Sequence, residues 1–396
     1  MAHHRGPKTI TQDLIFHYDT GNGKSFAGEP TTNYIPQTYD YSLYAYASGP
    51  VDTTAYNEYN TPVSVKRYTI TNAINTARAA IFPSTTTGVF YTFSFKWKYN
   101  GTVTSSPSIA VSAFKGNPET NNNSFTSETS NTISIGNGWY LTTYIFNFSS
   151  SPTGGCILTF GISTGSNTAY VNETFDIYQA QFEIKNHRTQ YTLGTRSNTQ
   201  GLIDLSRNRT ISISGVSFDS NAMMLFDGTD DAIPITTPPN FSGSGSWTMN
   251  TWFKINGAPS STAYMNVIVD MDPTGGSANM ICVNWSDMML QYRSRPVGGS
   301  YTTINGSVLS QNVWYNATAV KYGTNETKLF LNGVQDGGTY SGNLPAGNQS
   351  FFNIGRWTDG TVYANATIPI VSIYNRALTP DEVYRNYMSL KSRFGL

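Results

Sequence analysis

"QDLIFHYDTGNGKSF", residues 12–26, reads as the opening strand of a β-sandwich running into a turn, yet no partner strand follows it. The next stretch, "TTNYIPQTYDYSLYAY" (31–46), belongs to a different module. The continuation stands far downstream in "GLIDLSRNRT" (201–210). That spacing raises the expectation that one domain begins at residue 12 and resumes near residue 200, as a second domain inserted in its first loop would make it do. An insertion of this kind costs only a logarithmic loop-closure term when the inserted unit's ends lie close together.

Composition supports an all-β reading. Charged residues are 12% of the 396, against roughly a quarter in ordinary globular proteins. The hydrophobic share of 38%, with 26 Tyr and 21 Phe, is incompatible with a disordered chain. Ser, Thr, Asn, Gly and Tyr, the residues of strands and turns, take up the excess. The net charge of +0 leaves no electrostatic footprint for nucleic acid or an anionic membrane. The start, "MAHHRGPKTI", lacks the apolar run of a signal peptide, and no stretch approaches the ~20 apolar residues of a membrane span. Synthesis in a cytoplasm and no membrane insertion are the corresponding expectations. Cys156 and Cys282 fall in different modules, which predicts neither a disulfide framework nor a cysteine metal site.

Strand signals are dense. "VFYTFSFKWKYNG" (89–101) places Tyr91, Phe93, Phe95, Trp97 and Tyr99 on one face. "GWYLTTYIFNF" (138–148), "GCILTFGIS" (155–163) and "TFDIYQAQFEI" (174–184) follow. In the second half, "AMMLFDGTDDAIPI" (222–235) reads as strand, tight turn, strand. "SWTMNTWFKI" (246–255) alternates, and "KLFLNGVQDG" (328–337) is a hairpin with Asn332-Gly333 at its tip. A single helix is predicted near the C-terminus. Thr379 is its N-cap, Pro380 its first residue and Glu382 the partner in a capping box, with Val383, Tyr387 and Leu390 on one face.

The ordered series "RGPKTITQDLIFHYDTGNGKSF", "GLIDLSRN", "LFDGTDDAI", "WTMNTWFKI", "LFLNGV", "NIGRW" and "VSIYNRALTPDEV" resembles laminin G-like, or concanavalin A-like, jelly-roll domains common in virion structural proteins of tailed phages. The insert is similar to carbohydrate-binding jelly-roll modules, through "TTNYIPQTYDYSLY", "YTFSFKWK", "GWYLTTYIF" and "FDIYQAQFEIKNHRTQYTLGTRS". The resulting expectation is two antiparallel β-sandwich (jelly-roll) domains with a short C-terminal helix. The divisions are an arm over 1–11, a discontinuous sandwich over 12–30 plus 196–396, and the inserted jelly roll over 31–195. Strand 13–19 is expected to pair with 370–375.

Chemistry was sought in several patterns. "GNGKS" (21–25) lacks the earlier glycine of a phosphate loop and reads as a turn. Glycoside hydrolysis needs two facing carboxylates. Asp176 and Glu183, seven apart, are expected on opposite faces, whereas Asp270 and Asp272 share one. The competing reading of that pair is a strand end turning at Pro273. Histidines 3, 4, 17 and 187 have no ligand spacing. Calcium, which laminin G-like domains often hold, would use Asp227, Asp230, Asp231, Asp270 and Asp272, against a capped turn. Glycan stacking would use Trp97, Tyr99, Trp285, Tyr292 and Trp357, against burial in the cores.

The function these readings imply is that of a non-enzymatic phage protein on the virion surface, a capsid fibre or decoration or a tail or baseplate adhesin. Its partners would be other virion proteins, further copies of itself and cell-surface glycans. The alternatives are a free carbohydrate-binding protein, the non-catalytic part of a depolymerase, or a glycoside hydrolase of the same fold.

Overall fold

The computed structural model describes residues 8–35, 47–71, 78–82, 86–103, 108–115, 125–149, 156–163, 168–219, 223–239, 245–259, 265–272, 278–295, 299–341, 349–358 and 360–396. The chain divides into two compact units. The first comprises Met1–Pro30, Ser197–Asp219 and Met223–Leu396, and the second is Thr31–Arg196. Nearly all of the regular structure is antiparallel β-sheet, with one short C-terminal helix.

In the first unit, Leu14–Asp19 lies antiparallel to Asn365–Tyr374, pairing Leu14 with Tyr374 and Asp19 with Ile370 as expected. The eight-stranded sheet runs Ser217–Phe218, Met224–Asp227, Asn365–Tyr374, Trp247–Ile255, Trp314–Tyr322, Glu326–Leu331 and Val334–Ser341, with Leu14–Asp19 also on Asn365–Tyr374. Ile233–Pro234, Phe351–Ile354, Met265–Asp272, Ala278–Asn284, Met289–Arg295 and Thr302–Val308 form a six-stranded sheet. Between them lies one apolar core, to which the first sheet gives Phe16, Tyr18, Met249 and Phe253 and the second gives Met271, Ile281 and Phe352. Phe16 meets Phe352 edge to face at 4.9 Å.

The downstream segment is laid against the first strand. His17 N–H donates to Asp204, Leu205 N–H to the His17 carbonyl at 2.7 Å, and Ala27 N–H to the Gly201 carbonyl at 2.9 Å. Asp204 is the pivot. Its carboxylate accepts the N–H groups of His17 (2.9 Å), Ser206 (3.0 Å), Asn208 (3.2 Å) and Arg209 (3.0 Å), and the Ser206 hydroxyl (2.8 Å). "GNGKS" is a turn, in which Asn22 Oδ1 accepts the Lys24 N–H.

The Asn332-Gly333 turn has φ of 51° and 81°, the left-handed pair that a two-residue hairpin of matching twist requires. The helix Pro380–Leu390 begins with the full capping box, and Arg376 grips Glu382 with two bonds of 2.7 Å. That pair holds the Glu382 carboxyl down at about 2. The C-terminal segment covers the outer face of the eight-stranded sheet. Phe394 stacks on buried Trp252 at 4.2 Å, Tyr387 adds a second ring, and Val383 packs with Val320, Phe330 and Leu378.

One expectation changes here. "FDGTDD" is a corner and not a hairpin, because Met224–Asp227 pairs in one sheet and Ile233–Pro234 in the other. Phe226 and Ile233 thereby enter the core from opposite sides, and buried Asp231 ties the corner by accepting the Asp227 N–H at 3.0 Å. Residues 8–10 of the arm are bonded to the C-terminal part of the chain. Ile10 N–H donates to Asn386, Tyr374 donates to the Ile10 carbonyl and Arg385 to that of Lys8. Residues 1–7 lie outside the described residues.

In the second unit a six-stranded sheet runs Ala47–Tyr56, Pro62–Ile70, Thr174–Glu183, Phe90–Tyr99, Trp139–Phe148 and Phe125–Gly136. A three-stranded sheet joins Arg78–Phe82, Cys156–Ser163 and Ser108–Lys115. The unit's two ends meet, since Thr31–Thr32 pairs with Thr195–Arg196. Much of the entry motif, residues 36–46, lies outside the described residues. Tyr91, Phe93, Phe95 and Trp97 fall on the core face with Phe146, Phe175 and Phe182.

Thr174–Glu183 breaks strict alternation. Gln179 has φ of 52°, and the register against Phe90–Tyr99 shifts between Tyr178 and Gln181. One extra residue in a strand inverts the phase beyond it. Phe175, Ile177, Ala180 and Phe182 consequently share the core, while Asp176, Tyr178, Gln181 and Glu183 share the opposite face, opposite Lys98, Lys96, Ser94 and Thr92. Asp176 and Glu183 are therefore on the same face, contrary to simple counting. Each is committed to structure: Asp176 takes a two-pronged bond from Arg67 (2.6 and 2.7 Å), and Glu183 is tied by its own neighbours.

Three outcomes follow from these contacts. Asp204→Ala strands several backbone N–H groups and lowers stability by about 3 kcal/mol in urea unfolding; a loss below about 1 kcal/mol would contradict the pivot role. Trp97→Ala, which empties a core site, costs about 3–5 kcal/mol by the same measurement. Burial holds the His17 pKa below its ordinary 6.5, so the unfolded chain binds the proton more tightly. Stability is thus full above pH 6.5 and declines as pH falls below it. His17→Gln removes that slope in melts recorded between pH 5 and 8.

Candidate functional site: the outer face of the six-stranded sheet

The side of the six-stranded sheet away from the core is divided in two. At one end the loop after Ala47–Tyr56 closes over it. Trp139 donates its indole N–H to the Tyr56 carbonyl at 2.7 Å, and Asn137 donates its side-chain amide to the Glu58 carbonyl at 2.9 Å. Beneath the loop, the Glu58 carboxylate accepts from the Lys96 ammonium and the Tyr178 hydroxyl. Burial alone would raise the Glu58 carboxyl, but these bonds outweigh it and hold it below the ordinary range. Burial and Glu58 together push the Tyr178 phenol up.

The other end is open. Along Trp139–Phe148, Thr142, Tyr144 and Phe146 are buried while Leu141, Thr143 and Ile145 are half-exposed, the alternation of a strand with one dry face. Cross-strand partners continue that outward row: Ile133 opposite Leu141, Asn131 opposite Thr143 and Thr129 opposite Ile145. His187 and Arg188, on the segment leaving Thr174–Glu183, complete a groove of about 390 Å³ with Ser130. His187 Nδ1 lies 2.6 Å from the Asn186 side-chain oxygen. Hydroxyls, an amide and short aliphatic patches are thus presented together, with one guanidinium and no carboxylate in the lining.

None of the aromatic candidates for stacking on sugars is among the residues lining this groove. Trp97 is only 2% exposed, bonded through its indole N–H to Thr142 at 3.0 Å, and Tyr292 is 1% exposed, donating to Asn279 at 2.9 Å. Both are core residues, because the rings lie on the inward face of their strands. Tyr99 is half-buried against Tyr170, Trp285 packs on the first unit's core, and Trp357 sits beside Tyr301 over Val267 and Cys282. The strand pattern in "GWYLTTYIFNF" already contains the outward row Leu141, Thr143 and Ile145. Arg188 had a weaker signal, as a basic residue in a chain with few charges.

Of the acidic candidates, Asp227, Asp230 and Asp231 converge, with ligand atoms within 4.8 Å of one another. Calcium takes six to eight oxygens. Here Asp231 already accepts the Ser217 hydroxyl and the Asp227 N–H, and Asp227 accepts the Thr229 N–H at 2.7 Å, the bonding of a capped corner. These bonds fit the turn better than they fit a cation. Asp270 and Asp272 do share a strand face, but both are buried and do not join the acidic corner. Asp270 accepts the N–H and hydroxyl of Thr358 at 2.9 and 2.5 Å. Nearby Arg293 and Arg295 both stack on Tyr301, at 4.4 and 4.7 Å. Pro273 lies outside the described residues. Buried Cys282 has its thiol pushed up to about 12, first by burial. No helix among the described residues is long and apolar enough to cross a membrane.

No curated protein matches the chain in sequence. Among solved structures, Trypanosoma rangeli sialidase aligns at 12% identity over 48% of this chain and 31% of its own, with a TM-score of 0.37. The binding domain of botulinum neurotoxin serotype G aligns at 14% identity over 48% of each chain, with a TM-score of 0.37. The binding domain of Paraclostridial Mosquitocidal Protein 1 aligns at 17% identity over 47% of this chain and 49% of its own, with a TM-score of 0.35. The matched part thus spans from 31% to 49% of these structures. Residues 227–384, within the first unit, match the family model of the concanavalin A-like lectin/glucanases superfamily.

Proposed function

We propose that this chain is a non-enzymatic attachment protein on the surface of a tailed-phage virion, as capsid decoration or as a tail or baseplate adhesin. In this reading the second unit is a carbohydrate-binding jelly roll inserted in the first loop of the concanavalin A-like sandwich, and it takes a saccharide in its open groove. The groove carries the proposal, because Thr129, Asn131 and Thr143 offer hydrogen bonds beside the aliphatic surfaces of Ile133, Leu141 and Ile145. Such a mixture suits a sugar ring, which has polar edges and apolar faces. The virion assignment is supported by the ordered motifs of the outer domain. The non-enzymatic assignment is supported by the commitments of Asp176, Glu183 and Asp270 to hydrogen bonds within the fold.

A glycan array with the full chain tests this, using Thr143→Trp to fill the groove from a half-exposed position. Binding is expected for the native chain and is weakened at least about tenfold in the variant with an unchanged Tm. Absence of any bound glycan, or binding indifferent to Thr143→Trp, overturns the groove reading. Mass spectrometry of purified particles decides the virion assignment, which fails when the chain is missing from them.

A further inference from the structure

The groove contains one guanidinium that makes no ion pair and spends little of its hydrogen-bonding capacity among the described residues. Arg188 is half-buried, and among the described residues its guanidinium makes one bond, from Nη1 to the Thr189 carbonyl at 3.3 Å. A guanidinium carries five N–H donors, so most of its capacity is unspent. Arg188 is in no ion pair among the described residues. The carboxylate that acts on it through space, Glu183, is fully buried and already satisfied. Glu183 Oε1 accepts the Gln181 amide and the Thr189 N–H, both at 2.9 Å, and Oε2 accepts the hydroxyls of Thr31 at 2.8 Å and Thr189 at 2.7 Å. Four donors hold that carboxylate without help from Arg188.

We infer that the groove takes a saccharide bearing a carboxylate, with Arg188 binding the acid group in a two-pronged ion pair. The inference rests on the saccharide reading of the groove and names the class of sugar. A planar guanidinium matches a planar carboxylate edge to edge, and the pair is worth more when partly desolvated. One cation answers one negative charge. A phosphate, with nearly two, would leave the excess charge near buried Glu183. Burial also presses the Arg188 pKa down, a penalty that an arriving anion relieves. The hydroxyls of Thr129 and Thr143 and the amide of Asn131 then meet the hydroxyls of the same sugar.

Calorimetric titration of the full chain with trigalacturonic acid and sialyllactose, each beside its neutral methyl ester, tests this. At least one free acid is expected to bind about tenfold or more tightly than its ester. Arg188→Gln brings that ratio to near one, and Arg188→Lys keeps part of it, since an ammonium retains charge but not the fork. Equal affinity for acid and ester, binding of neither acid, or an acid preference surviving in Arg188→Gln overturns the inference. Neutral glycans that still bind, and are lost in Thr143→Trp, leave the saccharide groove standing without its acidic sugar. When no glycan of either class binds, both readings fall. If Arg188→Gln does not fold, the acid-to-ester ratio of the native chain decides.

Discussion

The first unit depends on a strand at one end of the chain lying beside a strand at the other. Leu14–Asp19 adds to the same edge of Asn365–Tyr374 that Met224–Asp227 uses further along, while Trp247–Ile255 takes the opposite edge. Pairs separated by some 350 residues pay a large loop-closure entropy before they return any energy. What makes the closure favourable is the number of groups it satisfies together. Phe16 and Tyr18 enter the core, Tyr18 donates to the Ile368 carbonyl at 2.8 Å, and Asp204 is given the His17 N–H. The helix and residues 8–10 then bind one another through Asn386 and Tyr374. Removing the first strand would expose one edge of the sheet and leave the "DLSRN" loop with nothing to cap.

A second constraint is met inside the inserted unit. Its two ends pair through Thr31–Thr32 and Thr195–Arg196, and Asn33 N–H donates to the Gly194 carbonyl at 2.9 Å. Ends held this close turn a long insertion into a short gap for the chain that carries it. On the first unit's side, the Phe26–Leu202 bridge and the Ala27–Gly201 bond carry its own backbone pairing up to the same gap.

The legible parts of this molecule are those whose cause is local. Alternation in Phe90–Tyr99, the Asn332-Gly333 tip and the Thr379–Glu382 capping box are each determined within a few residues, and each could be read before any contact was known. The errors have a common source as well. "FDGTDD" was read as a hairpin because a turn motif does not say which sheet the next strand joins. Trp97 and Tyr292, open in the sequence to either stacking or burial, belong to the cores because their rings lie on the inward face of their strands. Arg188 could not be identified from sequence for the complementary reason: its significance is that Glu183 is satisfied by four other groups, and those groups lie as far away as Thr31.

The bulge at Gln179 links the fold to the proposed site. With strict alternation, the strand would turn Phe182 outward beside the groove and drive Glu183 into a core of phenylalanine and tyrosine. A left-handed backbone at a non-glycine residue costs roughly 1–2 kcal/mol. Burying a phenylalanine returns about 1.5–3 kcal/mol, and an ionised carboxylate kept out of an apolar core avoids a larger penalty. The balance favours the bulge, and its position decides where polar chemistry can appear. Beyond it Gln181 and Glu183 face the groove side, where they engage Thr189 and Thr192 and order the segment carrying His187 and Arg188. A single extra residue thus keeps Ala180 and Phe182 on the core face and sets Gln181 and Glu183 on the other, where they order the segment that carries Arg188.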